Sequence, residues 1–324
     1  MKKYIGNIIT TLIIIAGITL GFVFGTPNFS QNQWDTFLIV GIICASSVLY
    51  CFIVGELSRN NSQMDKLWSI LPIAYIWVIA IKGNMSPRLI VMAVLVTIWG
   101  IRLTINFARK GAYSLKFWSG EEDYRWQVLR QNKYLSNKVV WAAFDLFFIS
   151  LYQNTLVLCI CLPALAVMDS TATFGVFDYI AALLTFGFIA LETIADEQQM
   201  RFHTKKKELL SEGKKLDELP EPYNKGFNTT GIWNRSRHPN YFAEQAIWVC
   251  LYLFTIGAGV NTYFIFNWSI TGCLVLILLF MGSSAFGEGV SNSKYPEYKY
   301  YLSYVSKYLP LRKYDVEKAK KKSA

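Results

Sequence analysis

Carboxylates, amides and arginines recur in this 324-residue chain at helical spacing inside or beside apolar runs, where such groups are costly and therefore informative. In FIALETIADEQQMRF, Glu192, Asp196 and Gln199 follow at steps of four and three, on one helical face, with Arg201 just beyond. In HPNYFAEQAIW, Asn240, Glu244 and Trp248 follow at steps of four behind Pro239, a residue suited to a first helical turn. In SSAFGEGVSNSKYP, Ser284, Glu288, Ser291, Asn292 and Tyr295 share a face. Between the first two stretches, GIWNRSRHPNY sets Arg235, Arg237 and His238 immediately before a helix N-terminus. Forked guanidinium groups beside that dipole suit phosphate oxygens, of a cofactor or of an anionic lipid.

Other residues lend themselves to blander roles. His238 is one of only two histidines and has no carboxylate at metal-ligand spacing, so hydrogen bonding is expected of it and no metal site. Tyr295, Tyr298, Tyr301 and Tyr304 read as an interfacial aromatic belt. Arg102, with Asn106 on its face, and Asp145 are expected to pair as a structural ion pair. Asp65 and Trp68, in SQMDKLWSILP, are candidates for lining a cavity. The six cysteines lie in apolar runs without paired spacing and read as small buried hydrophobes.

The elements that must position these groups are membrane spans. With 53% hydrophobic and 17% charged residues the chain is too apolar for a soluble domain, and its net charge of +10 falls between apolar runs, which argues against nucleic acid. A span needs about 20 mostly apolar residues. Eight stretches are predicted: 5–25, 36–55, 67–81, 89–107, 139–162, 174–195, 240–258 and 262–287. The third is short and holds Pro72; the first, behind Lys2 and Lys3, reads as an uncleaved span. Seven Lys and Arg in 108–138, nine in 196–240 and nine in 289–324, against none in 26–35, 163–173 or 257–263, place both termini in the cytosol. The expected fold is an all-α polytopic helical bundle in a single transmembrane domain over 1–324, with helices 5–162 on the substrate side and 174–310 binding a cofactor. The 196–240 segment reads as a polar loop with a short helix, and the Lys-rich tail after Leu311 as a frayed, solvated end.

At RSRHPNYFAE and KYPEYKYYLSYVSKYLP the chain resembles the steroid 5-alpha-reductase-like membrane proteins, in particular a bacterial branch labelled DUF1295. The resemblance extends through SQMDKLWSILP, WGIRLTINFARKG and GEEDYRWQVLR, from about residue 59 to 310. RHPNY by itself is shared with sterol reductases, isoprenylcysteine carboxyl methyltransferases and phospholipid methyltransferases. The resemblance implies an NADPH-dependent reductase of an activated carbon–carbon double bond in a steroid-like or isoprenoid lipid. It implies cofactor contacts from Asn240, Glu244 and Trp248 and from Asp196 and Arg201, with Arg237, His238 and Tyr241 in the shared motif. Glu192 replaces an Asn of the steroid enzymes, and Ala243 a common Gly.

On this reading NADPH phosphates meet Arg235, Arg237 and Lys294, and Glu288, Ser291 and Tyr295 complete the cofactor set. A proton donor for the lipid comes from Asp65, Glu56 or Tyr241, with Trp99 in the same region as the first two. No Rossmann or Walker glycine pattern is present, so side chains must hold any nucleotide. Two alternatives stand beside it. One is an S-adenosylmethionine-dependent lipid or isoprenylcysteine methyltransferase, against which GEGVSNSKYPEY lacks the adjacent glutamates such enzymes carry. The other is a non-catalytic lipid-binding protein. The partners expected are the bilayer and a membrane lipid, with no nucleic acid and no obligatory protein partner, in a bacterial inner membrane.

Overall fold

A computed structural model describes residues 11, 12, 14–20, 23, 28–260 and 265–323. The predicted span 5–25 lies for the most part outside the described residues. Among those described the fold is helical with no strand; the one β-type contact is an isolated parallel bridge between Ser236 and Ser306. The long and functional helices, in chain order, are α1 (Gln31–Ser58), α2 (Gln63–Leu67), α3 (Leu71–Lys82), α4 (Pro87–Ala108), α5 (Tyr124–Arg130), α6 (Lys138–Val167), α7 (Val176–Ser211), α8 (Pro239–Gly257), α9 (Thr271–Lys294), α10 (Tyr298–Tyr304) and α11 (Val316–Ser323).

Five of them are long and apolar enough to cross a bilayer: α1, α4, α6, α7 and α9, the last with the short turn from Trp268 that precedes it. The chain is a multi-pass membrane protein. Two further predicted spans take a different form. The one expected at 67–81 is the 12-residue α3, because Pro72 sits in its first turn and Gly83 closes it. At about 1.5 Å per residue it falls short of a ~30 Å hydrocarbon core. The one expected at 240–258 is α8, 19 residues long, whose first two turns hold Asn240, Glu244 and Gln245 and dilute its apolar character.

Local chemistry fixes the ends. Ser30 and Gln33 form a reciprocal capping box on α1, which ends at Arg59 in the left-handed conformation (φ 57°). Asn137 caps α6 by accepting from the Val139 and Val140 amides. Within α6, Asp145–Tyr152 is wound as a π-helix, a local widening often found at functional sites.

The chain forms two compact units. One takes in the chain through Leu183 together with Trp248–Leu276; the other is Leu184–Ile247 with Ile277–Ala324. The first has a core of Val40 and Cys51 from α1, Tyr75, Ile76 and Ile79 from α3, Leu89, Met92 and Trp99 from α4, and Leu156 and Val157 from α6. Gly272 brings α9 against α6 so closely that a Cβ there would lie 2.2 Å from the Cys159 carbonyl. Arg88 is buried and donates to both Asp178 oxygens (2.7 and 2.9 Å) and to the Ala172, Thr173 and Gly257 carbonyls, so that its charge is matched inside the unit.

The second unit packs Phe227, Tyr298, Tyr301 and Val305 into one cluster. Tyr298 and Tyr301 are therefore core and not an interfacial belt, because the helix α10 turns them onto Phe227 at ring separations of 4.9 and 5.4 Å. The segment expected to be a loop from 196 begins as the last part of α7, which continues to Ser211. The tail is likewise ordered where described: α11 buries Ala319, and Lys322 donates to the Ser303 carbonyl.

Candidate functional site

The second unit holds the RSRH segment and its partners. Gly231, at φ +58°, starts a 3-10 turn whose Ile232 amide donates to Gln198 of α7 (2.9 Å). Trp233 donates its indole N–H to the Ala195 carbonyl (2.9 Å), which fixes the turn against α7. The Tyr301 hydroxyl donates to the Trp233 and Ser236 carbonyls. Ser236 donates to the Tyr308 carbonyl (2.5 Å), and the Arg237 and His238 amides donate to the Ser306 and Lys307 carbonyls, both at 3.0 Å. Pro239 then opens α8.

These anchors set Arg237 and His238 on Glu288 of α9. Arg237 Nε donates to Glu288 Oε1 at 2.8 Å, and His238 Nε2 meets the same oxygen at 3.1 Å. Arg237 Nη1 also donates to the Leu302 and Val305 carbonyls. Burial, reinforced by Arg237 and Lys307 and opposed by Glu288, holds the His238 imidazole below its usual range. Neutral His238 then donates to Glu288, and Arg237 matches that carboxylate's charge. His238 stacks on Tyr241 (5.2 Å, 14°), which meets Phe280 edge-on at 4.7 Å. Burial lifts the Tyr308 phenol to about 12, and it donates to the Phe280 carbonyl at 3.1 Å.

A second group stands at the α7–α8 contact. Asn240 Nδ2 donates to Asp196 Oδ1 at 3.0 Å. The Asn240 Oδ1 and Gln199 Oε1 atoms, both shielded from solvent, have no hydrogen-bond partner, and neither has Asn228 Nδ2. Glu192 and Glu244 are buried in the same unit. Native interiors seldom leave such atoms unsatisfied, so acceptors and a donor of this kind mark a place for a polar ligand.

The remaining candidates are distributed as follows. Arg235 and Lys294 are exposed, and Ser291 and Tyr295 are half-buried. Arg201 is exposed and pairs with Glu197. Tyr295 accepts from Lys206 and lies against Gly226, where a Cβ would come within 2.2 Å of its ring. Trp248 belongs to the first unit, edge-to-face on Trp99 at 5.0 Å. Asp65 and Glu56 are also in the first unit. Asp65 accepts from Arg125 (3.2 Å) and from the Trp126 indole (2.7 Å), tying α2 to α5. Its burial and the neighbouring Asp123 raise its carboxyl above the ordinary range, against Arg125 and Trp126. Asp145 takes its hydrogen bonds from Asn61 (2.7 Å) and Ser150 (3.1 Å), neutral donors, in place of the ion pair with Arg102.

Several contributors escape a reading by spacing. Ser236, Tyr301 and Tyr308 matter through backbone carbonyls of a segment some seventy residues away, and Gln198 through a single backbone amide. Only the Tyr-rich run near 300 gave a signal.

A family model described as a protein of unknown function, DUF1295, matches residues 51–307. This chain belongs to the DUF1295 family. "Uncharacterized protein C594.04c" of Schizosaccharomyces pombe is similar to it, 34% identical over 305 residues, covering 88% of this chain and 83% of that protein. No solved structure matches. The DUF1295 match takes in Glu56, Asp65, the RSRH segment, Glu288 and the Ser306 and Lys307 carbonyls that seat it, so both units contribute to the family's shared region.

Proposed function

We propose that this DUF1295 protein is a membrane-embedded reductase that uses NADPH to saturate an activated carbon–carbon double bond in a steroid-like or isoprenoid lipid. The observation that carries the cofactor reading is the group of polar atoms at Asp196 and Asn240. A carboxylate beside unpartnered Asn240 and Gln199 amide oxygens fits the hydroxyl and carboxamide donors of a nucleotide. Asp196, Gln199 and Asn240 would hold the polar end. Exposed Arg235 and Lys294 would meet phosphate oxygens. Arg237, engaged by Glu288 and two carbonyls, positions the segment that carries Arg235.

NADPH when bound supplies hydride. Reduction of a conjugated double bond leaves charge on the lipid carbonyl, which calls for a donor fixed in a dry site. Among the candidates Asp65 has both oxygens engaged by α5, which suits a positioning role. Tyr241 is held by His238 and Phe280 in the same unit as the cofactor residues.

We read the chain as lying in a bacterial inner membrane with its basic segments 196–240 and 289–324 on the cytosolic side. The support is the alternation of basic loops, nine Lys and Arg in 196–240 and nine in 289–324 against none in 163–173.

Thermal shift of the purified full chain in detergent, titrated with NADPH and separately with S-adenosylmethionine, tests the cofactor. A ligand at a hundred times its Kd stabilises by about 2.7 kcal/mol. Stabilisation by NADPH, lost in Asn240→Ala, is expected. Response to S-adenosylmethionine alone would make the protein a methyltransferase, and response to neither a lipid-binding protein without this chemistry.

A further inference from the structure

Lys206, in the last turns of α7, is a buried cation of the second unit with no part in the cofactor contacts above. It is 9% exposed. Its ammonium donates to the Gly226 carbonyl at 2.6 Å and to the Tyr295 hydroxyl at 3.3 Å, both neutral acceptors. It also lies 5.6 Å from the centre of the Phe202 ring and 5.4 Å from that of Tyr295. An ammonium has three donors and a full charge, so an N–H and the charge are left over. The carboxylates close to it in the chain are engaged elsewhere, Glu208 by Lys205 (2.8 Å) and Glu221 by Lys225 (3.6 Å). Burying an ion without a counter-ion is costly, and a place that does so is suited to an anion.

The groups beside Lys206 have donors to spare. The Tyr295 phenol accepts from Lys206 and keeps its own proton to give, 3.3 Å from the ammonium. Its ring is fixed by Gly226, at φ +80°, where a Cβ would fall 2.2 Å from it, and by Phe227, whose ring lies 6.0 Å away. The exposed Lys294 places its ammonium 5.5 Å from the centre of the same ring and, among the described residues, has no carboxylate partner.

Two amides flank the carbonyl that Lys206 holds. Asn224 stands two residues before Gly226 and Asn228 two residues after it, and two residues of chain span at most about 7 Å. Asn228 is 3% exposed. Its Oδ1 accepts from the Thr230 amide and hydroxyl (2.9 and 2.8 Å), while its Nδ2 has no partner. Asn224 Oδ1, shielded from solvent, has none either. A buried donor and a buried acceptor left open on one short turn call for a ligand that offers both functions.

A phosphate monoester fits this set. It carries a charge of about −1.5 to −2 and three acceptor oxygens. Two ammonium groups match that charge, and the spare Lys206 N–H, the Tyr295 hydroxyl and Asn228 Nδ2 supply donors. A carboxylate, with one charge and two oxygens, would leave an ammonium unmatched.

We propose that Lys206, Tyr295, Lys294 and Asn228 bind a phosphate monoester, with Asn224 Oδ1 accepting from a hydroxyl on the same carrier. Where the proposed cofactor reading holds, on which this part rests, the group is the 2′-phosphate of NADPH beside a ribose hydroxyl, and Lys206 decides between NADPH and NADH. The other source of the same chemistry is the phosphate monoester of a lipid headgroup.

Thermal shift and binding titration of the full chain in detergent, wild type beside Lys206→Met, test this with four probes: inorganic phosphate against chloride at equal ionic strength, NADPH, NADH, and phosphatidic acid against phosphatidylcholine. Phosphate stabilises most proteins by exclusion from their surface, and the variant supplies that baseline. The expected result is a larger phosphate shift in the wild type, with NADPH bound roughly tenfold or more tighter than NADH and that preference lost in Lys206→Met while NADH binding is unchanged. Equal affinity for the two nucleotides, with a preference for phosphatidic acid that Lys206→Met removes, assigns the site to a lipid headgroup. A phosphate shift that depends on Lys206 without binding of either nucleotide removes the cofactor and keeps the site. Equal responses of wild type and variant to every probe overturn the proposal, even where NADPH binds. Should Lys206→Met fail to fold, Lys294→Ala, at an exposed position, and Asn228→Ala take its place with the same losses expected.

Discussion

Arg237 and Arg235 stand two residues apart, and the structure gives them opposite duties. Arg237 lies in a nearly closed setting with Glu288, so replacing it by Ala strands a buried carboxylate and two carbonyls. Loss of one partner from such a pair costs about 3–5 kcal/mol. Arg237→Ala should therefore lower the thermal midpoint sharply, with or without nucleotide. Arg235→Ala, at an exposed position, should leave stability within about 0.5 kcal/mol and weaken NADPH binding, a contrast that thermal shift and ligand titration read separately.

His238 adds a pH signature at the same scale. Its proton affinity in the fold is below that of the unfolded chain, whose value is 6.5. Above that pH both states are neutral and the contribution is constant. As pH falls below 6.5 the unfolded state takes up a proton first, so stability is lost until the folded imidazole is also protonated. Thermal midpoints measured between pH 8 and about 4 should show a downward step below about 6.5 that is smaller in His238→Gln.

At the scale of elements, helix contacts rest on glycines as much as on large side chains. Gly272→Ala would force α9 from the α6 backbone, where the obstructing atoms are the Cys159 carbonyl and the Ile160 amide and cannot rotate away. Overpacking of that kind costs about 1–3 kcal/mol, and the expected result is a lower midpoint with the helical circular-dichroism spectrum retained. The predicted spans 36–55, 89–107 and 139–162 lie within α1, α4 and α6, whose starts are set by Ser30, Pro87 and Asn137. The misreadings came where local pattern competes with tertiary partners. The charged stretch after Asp196 reads as a loop because it lacks an apolar face for lipid, yet α7 continues through it, held by Trp233 and Gln198 contacts. Tyr298 and Tyr301 match a belt by composition, and only Phe227, remote in sequence, makes them core.

For the whole molecule, all six cysteines are free, and five are buried with Cys159 half-buried. Maleimide labelling of the native protein should be slow at every site and should reach all six after denaturation. Rapid labelling of Cys44, Cys51 or Cys161 would contradict the packing of the first unit.

Composition and hydropathy by themselves determine that this chain lives in a bilayer and is helical, because hydrocarbon admits few other ways of satisfying a backbone. Helical spacing likewise suffices to single out Asp196, Asn240 and Glu288, and the position before a helix N-terminus singles out Arg237. Their pairing is a matter of tertiary structure alone. Spacing specifies a face of a helix and says nothing of which distant face meets it. Asp196 with Asn240, Arg237 and His238 with Glu288, and Asp145 with Asn61 in place of Arg102 are contacts across 44, 51, 50 and 84 residues, and only folding brings them within 3 Å or so.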